Sequence, residues 1–488
     1  MKRIVSLTLA LLLVLIPLSA CTKKDENTTE SSATDNAVTY ADDLPADLNF
    51  EDQEINILYN NFYGASDVIQ EMELEGNVDG DTVAVSVFNR NRAVEDRLGV
   101  TLLFDQSTES DPYQYSTLVE QLWSSSDATY DVIYHRGEQA VTQSFKGYFK
   151  AWNDVSYIDL SADYWFLEQM QNISLNINTQ YLLTGDLMIS NFSNMNAIFF
   201  NKDRWDTIYP TAEKSIYQMV YDGEWTWETY FQVVEDAYQD DGDGELDEGD
   251  KFGTHYESAR TSSYYPYGCG LFYTDRDDEG FPMLNHNNSK TGEMVEALYN
   301  FVNAGTHVMA MKQEDVLDSF KSGNMLFYTY FLSEGSVIKS SVSFNYGIVP
   351  FPKYDSSVDY NTSVAVGAGV YAIPVAVSDN RLGMIGATME ALCSYSSEKV
   401  LPYYYEYILK ANQAGNPEDS GMIDFMRKNL SFDPMFWIGQ SIGNCNMVFR
   451  DVIFTEKSSN FSGYWDGMET VYETMLGILI NNYKSARS

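Results

Sequence analysis

Three features of this 488-residue chain predict an α/β fold built on open, mainly parallel sheets. Short apolar strands alternate with amphipathic helical stretches, the late strands stop at prolines, and no apolar run beyond the N-terminus is long enough to span a bilayer. The strands are expected at residues 55–59 (INILY), 100–104 (VTLLF), 130–134 (YDVIY) and 197–200 (AIFF), then at 346–350 (YGIVP) and 370–374 (VYAIP). Proline has no N–H to give a ladder and cannot continue a helix, so the last two end where it stands. Residues 227–238 show the helical period: positions 227, 230, 231, 234, 237 and 238 share one face, and Thr226 supplies an N-cap.

The N-terminus has another character. Lys2 and Arg3 precede 17 residues without charge, and the run closes at small residues before Cys21, as in a secretory signal peptide spanning 1–20. Leu18-Ser19-Ala20-Cys21 resembles a bacterial lipobox, which implies cleavage before Cys21 and lipidation of its sulfur, with acyl chains such as palmitate holding the protein to the cell membrane. Residues 21–50 are polar and acidic without period and read as a disordered tether. The 28 residues at 22–49 would span roughly 30 Å.

Charge narrows the partners. Loss of the leader removes two of 30 basic residues and none of the 71 acids, leaving 28 against 71, a net charge of −43. Nucleic-acid backbones need a basic footprint, so no nucleic-acid partner is expected. Beyond Cys21 only Cys269, Cys393 and Cys445 remain, too few for a disulfide scaffold, and free buried thiols are expected. The four histidines are scattered, which argues against a zinc site.

A series of motifs runs in order along the chain. The strand at 130–134 continues into His135-Arg-Gly-Glu and then Gly147-Tyr-Phe-Lys-Ala-Trp152-Asn-Asp-Val. Tyr181-Leu-Leu-Thr-Gly-Asp186, Phe199-Phe-Asn-Lys-Asp203, Gly223-Glu-Trp-Thr-Trp227 and residues 247–253 follow, then Phe320-Lys-Ser-Gly-Asn-Met-Leu-Phe327, Tyr346-Gly-Ile-Val-Pro-Phe-Pro-Lys353 and Ala372-Ile-Pro374. Together they resemble the extracellular solute-binding proteins, family 1, the lipoprotein receptors of ATP-binding cassette importers, commonly for sugars or oligosaccharides. The resemblance implies two α/β lobes of the periplasmic-binding-protein type, with solute held in the cleft and closure about a hinge. It implies lobe one at 51–193 plus 350–408 and lobe two at 194–349 plus 409–488, with crossovers near Asn194, near 349–352 and near residue 410. It also implies a monomer outside the cytoplasm that carries no catalytic group and delivers its solute to permease subunits.

Ligands of open α/β sheets bind beyond the carboxyl ends of strands. Tyr59, Asn60 and Asn61, and His135 and Arg136, stand at such ends: amides and a guanidinium to bond hydroxyls, and a ring to stack. By resemblance Asn194 falls at the first crossover, while Tyr330, Phe331 and Trp437 present aromatic faces. Against each stands the ordinary role of an aromatic or amide, packing a core or capping a turn.

Other chemistries are less well supported. Gly439-Gln-Ser441-Ile-Gly443 matches a G-x-S-x-G elbow and raises a hydrolase alternative, but an α/β-hydrolase needs its histidine after the serine and the last one is His307. A surface glycan-binding or sensing lipoprotein without a transporter is the second alternative. Finally, QDDGDGELDEGD at 239–250 fits an EF-hand-like calcium loop. With Gly244 at the sixth position, Asp241, Asp243, Glu245, Asp247 and Asp250 fall on ligand positions. Gln239 at position one and the short Asp250 at position twelve weaken the pattern.

Overall fold

The computed structural model describes residues 41–61, 70–109, 111–303, 307–406, 410 and 415–485. The leader, Cys21 and the tether up to residue 40 lie outside the described residues, as do 407–409 and 411–414 beside the expected third crossover.

Four strands open the chain, β1 (Gln53–Tyr59), β2 (Val100–Gln106), β3 (Val132–Arg136) and the short β4 (Phe149–Lys150). β5 (Asn196–Asn201), the hairpin of β6 (Thr274–Arg276) and β7 (Pro282–Leu284), β8 (Phe327–Phe331) and β9 (Tyr346–Val349) follow, then β10 (Thr362–Ser363), β11 (Gly369–Pro374) and β12 (Leu430–Ser431). One sheet has the order β2-β1-β3-β11-β4 and a second has β8-β5-β9. This is a mixed α/β fold of two lobes, each with its own sheet.

Parallel pairing is concentrated in the first sheet. β1 runs beside β2 in register from Gln53↔Val100 to Tyr59↔Gln106, and beside β3 at Ile57↔Val132. The helix Thr82–Leu98 carries the chain back between β1 and β2, as a parallel pair requires. Asp81 caps that helix, accepting from Val83 and Ala84 N–H at 2.9 Å, and Gly99, in the left-handed region at φ +58°, ends it. In the second sheet β5 is antiparallel to both neighbours, so β8 and β9 run the same way. The chain passes from the first sheet to the second just ahead of β5 and returns between β9 and β11, where the parallel pair β10–β12 joins the connecting segments.

The strand at 130–134 is displaced from its expected place. It begins at Val132 and runs through Arg136, because β11 pairs with it as far as Gly369↔Arg136. The helix expected at 227–238 forms over Trp227–Asp236, its cap Thr226 accepting from Thr229 N–H. Ile55, Ile57 and Tyr59 on one face of β1 join Val94, Leu98 and Ile385 in one buried cluster. Leu58 on the other face belongs to a larger cluster that continues into the second lobe through Phe199, Trp225 and Phe327. All three described cysteines are buried and free.

Candidate functional site

A cavity of about 360 Å³ opens where the two lobes meet. Arg136, at the carboxyl end of β3, and Ala365 to Gly367, leading into β11, form one wall. Asn194 at the crossover, Phe331 at the end of β8, and Phe436 line it further. The helix Ser258–Gly268 contributes Arg260, Ser263 and Tyr264.

Each cation is fixed by local structure. Arg136 is 29% exposed and lies 3.4 Å from the Glu138 carboxylate. Its Nε would be 3.2 Å from a β-carbon at position 367, so glycine leaves the guanidinium room beside the connecting strand. Glu257 caps the second helix, accepting from Ala259 N–H at 3.1 Å and Arg260 N–H at 3.0 Å. The Arg260 side chain then enters an aromatic cradle. It donates to the Tyr264 hydroxyl at 2.6 Å and the Tyr330 hydroxyl at 3.0 Å. Its Cζ lies 4.4 Å from the Tyr330 ring centroid and 5.7 Å from that of Phe331, a cation–π arrangement. Burial would lower its pKa, but the Tyr264 and Tyr330 oxygens and Glu257 outweigh it, leaving it above the usual guanidinium value.

Of the residues expected at the site, Arg136, Asn194 and Phe331 are brought together on the cavity, and Tyr330 stands behind it through Arg260. Asn194 is held by its own turn, Nδ2 donating to the Ser190 carbonyl at 2.9 Å. Three residues require correction. Tyr59 is wholly buried, because strand alternation puts it on the same face as Ile55 and Ile57, and its hydroxyl donates to Glu75 at 2.9 Å. His135 lies inside β3 and points into the core, 3.3 Å from the Ser116 hydroxyl and edge-on to Tyr115. Burial pushes its pKa down to about 3, so it is neutral. Trp437 is 1% exposed and stacks on Phe432 with ring centroids 4.5 Å apart. The neighbouring Phe436 lines the cavity in its place. Asn60 and Asn61 are buried beside the end of β1, Asn60 Nδ2 reaching the Glu109 carbonyl at 3.5 Å.

Arg260, Tyr264 and Phe436 escaped the sequence reading. Ser441 ends a 3-10 turn entered from the helix Pro434–Ile438, not the strand a nucleophile elbow needs, and its hydroxyl pairs with Thr142 at 3.1 Å.

The acidic loop at 239–250 is closed by an antiparallel bridge, Gln239 and Lys251 exchanging hydrogen bonds of 2.8 and 2.9 Å. Carboxylate oxygens of Asp240, Asp241 and Asp243 lie within 4.8 Å of one another, exposed. Asp241 Oδ2 and Asp247 Oδ1 both flank Gly249. These oxygens suit a hard cation. Asp250 does not join them: it is buried and accepts from Tyr238 Oη and Asp241 N at 2.9 Å and from Asp247 N at 3.3 Å. Burial raises its pKa, and these three donors more than offset it, holding the carboxyl below the ordinary value. Glu245 is exposed and outside the close group.

Neither the known protein-family models nor the curated proteins give a match to this chain. Solved structures do. The ABC substrate-binding protein Lmo0181 from Listeria monocytogenes, in complex with cycloalternan, is 12% identical, with 87% of this chain and 99% of that one covered at a TM-score of 0.52. A cyclo/maltodextrin-binding protein complexed with maltotetraose is 11% identical over 90% of this chain and 98% of that one, TM-score 0.54. UgpB from Mycobacterium tuberculosis, in complex with glycerophosphocholine, is 12% identical over 88% and 99%, TM-score 0.54. The fold is that of the solute-binding proteins. The two-lobed architecture expected from the motifs is therefore the architecture of the molecule. Among the described residues no helix is long and apolar enough to cross a membrane.

Proposed function

We propose that this chain is an extracellular receptor that captures a sugar or oligosaccharide between its lobes and hands it to the permease subunits of an ATP-binding cassette importer. The observation that carries it is the interlobe cavity, walled by strand ends, both lobes and the connecting segments, in a fold whose solved examples hold a small molecule. Lobe one would comprise 51–193 and 350–408, lobe two 194–349 and 409–488, so that Arg136 and Arg260 move relative to each other on closure. Lipidation at Cys21 would tether the receptor to the cell membrane, and its role would be binding without turnover.

The acidic loop would hold a structural calcium ion through Asp241, Asp243 and Asp247, with Asp240 as an added oxygen donor and Asp250 bracing the loop from within. Its carboxylates form no ion pair among the described residues, which leaves their mutual repulsion to be relieved by a cation.

Calorimetry against an oligosaccharide panel, with product analysis of the same mixtures, tests the receptor assignment. Saturable binding with intact saccharide is the expected result. Cleaved saccharide would overturn it in favour of an enzyme.

A further inference from the structure

The cavity is unusual in its charge. Among the described residues that line it, Arg136 and Arg260 are the only ionisable side chains of either sign apart from Tyr264, and none is Asp or Glu, in a chain with 71 acids. Neutral sugars are hydroxyl donors as much as acceptors, and carboxylates are the strongest side-chain acceptors available to receive those hydroxyls. A wall with guanidinium donors and no carboxylate suits a ligand that is chiefly an acceptor.

Arg260 is set apart from the other arginines that form no ion pair among the described residues. Arg90 donates to the Glu73 and Leu74 carbonyls, Arg204 to that of Ala237, and Arg276 to carbonyls including those of Leu175 and Ser174. Those guanidiniums are spent on backbone and stitch the fold together. Arg260 donates to no carbonyl: its partners are two tyrosine hydroxyls, and three rings orient its plane at the cavity edge. Two of its five N–H groups are thus used, leaving donors for a ligand. The first N–H groups of the helix Gly137–Phe145 are already taken, Gly137 by the Ala368 carbonyl and Glu138 by that of Val366, both at 2.9 Å. The guanidiniums, not a helix terminus, are therefore the anion-recognising groups here.

The net charge of the protein opposes an anion at long range, but beyond about 8 Å that field is screened at physiological ionic strength. On the cavity wall itself the charged groups are the two guanidiniums, Arg136 paired with Glu138 at 3.4 Å and Arg260 held by two tyrosine hydroxyls. We infer that the cleft selects a saccharide bearing an oxyanion, a carboxylate or a sulfate ester, which Arg260 grips bidentately and Arg136 assists. This rests on the receptor assignment above and specifies its substrate class.

The test is calorimetry on the full chain with three probes: trigalacturonate, the neutral galactotriose of the same linkage, and that triose sulfated. At least one charged probe is expected to bind tenfold or more tightly than the neutral triose, and the two charged arms distinguish carboxylate from sulfate. Arg260→Gln should reduce the ratio of charged to neutral affinity by tenfold or more, and Arg136→Gln should do so to a smaller extent. Melting temperatures of both variants are recorded, and if Arg260→Gln does not fold, Arg136→Gln carries the comparison. Equal affinity for charged and neutral probes overturns the inference and leaves the receptor assignment standing. If none of the three probes binds while another neutral saccharide of the wider panel does, the inference is overturned and the receptor assignment stands; if no saccharide of the panel binds, both fall.

Discussion

Gly137 lies against the indole of Trp437 so closely that a β-carbon at 137 would sit 2.2 Å from Cζ3 and 3.0 Å from the Ala368 carbonyl. The indole is rigid and stacked on Phe432, so it has nowhere to retreat. Gly137→Ala should therefore cost about 1 to 3 kcal/mol of overpacking, and Trp437→Ala about 3 to 5 kcal/mol through its cavity. Urea denaturation checks both. Because Arg136 precedes Gly137, the first change should also weaken solute binding. A Trp437→Ala protein of unchanged stability and lost binding would return Trp437 to the ligand site.

Asp433 caps the short helix Pro434–Ile438, which carries Phe436 and Trp437. It accepts from Met435 N–H at 2.8 Å and Phe436 N–H at 3.1 Å, and its other oxygen has no partner. Burial raises its pKa to about 7 despite those two donors. The folded value exceeds the unfolded one near 3.9, so the folded state binds the extra proton. The stabilisation is complete below about pH 4 and is lost as pH rises through about 7. Asp433→Asn should thus become more stable relative to the wild type between pH 5 and pH 8.5, by on the order of a few kcal/mol. A difference that does not vary with pH would show that Asp433 is ionised throughout.

Asp131 joins three elements of the first lobe. It accepts from the Asn56 N–H at 2.9 Å and from Arg381 through Nε at 2.5 Å and Nη2 at 2.7 Å, while Arg381 also reaches the Glu54 carbonyl at 2.6 Å. Asp131 is almost fully buried and Arg381 partly exposed, so water can rescue only one partner. Asp131→Ala should cost about 2 to 4 kcal/mol, at the range for charged hydrogen bonds and broken buried pairs. Denaturant midpoints decide it, and a loss under 0.5 kcal/mol would mean the pair adds nothing net.

At 10 mM calcium, a site with a dissociation constant of about 0.1 to 1 mM would stabilise the protein by about 1.4 to 2.7 kcal/mol. Thermal unfolding with and without the ion measures this. Asp241→Ala and Asp243→Ala should each abolish the calcium increment, whereas Asp250→Ala should destabilise the protein even without calcium, since its carboxylate ties the loop backbone together. A melting temperature that ignores calcium would reduce the loop to a solvated bend.

The fold was legible because its signals are local. Apolar runs at 55–59, 100–104, 197–200 and 370–374 are all strands, and Thr226 caps the helix it was expected to cap. The site was only half legible. Arg136 and Asn194 reach the cavity because a strand end or a crossover places a residue whatever its side chain does. Alternation along β1 already put Tyr59 on the core face with Ile55 and Ile57, a signal present in the sequence and outweighed by its position at the strand end.

What the sequence determined by itself was the class of fold, the segments that build it and the acid-rich loop, since strand period, proline stops and caps act over a few residues. Tertiary structure alone decided which side chains share the cleft. The extension of β3 to Arg136 depends on pairing with β11, more than 200 residues later, and it turns His135 inward. The choice of Phe436 over Trp437 depends on Gly137, 300 positions away, receiving the indole. Arg260 and Tyr330, 70 residues apart, meet only where the helix Ser258–Gly268 comes against the end of β8. Contacts of that range follow from whole-chain packing, which no window of neighbouring residues encodes.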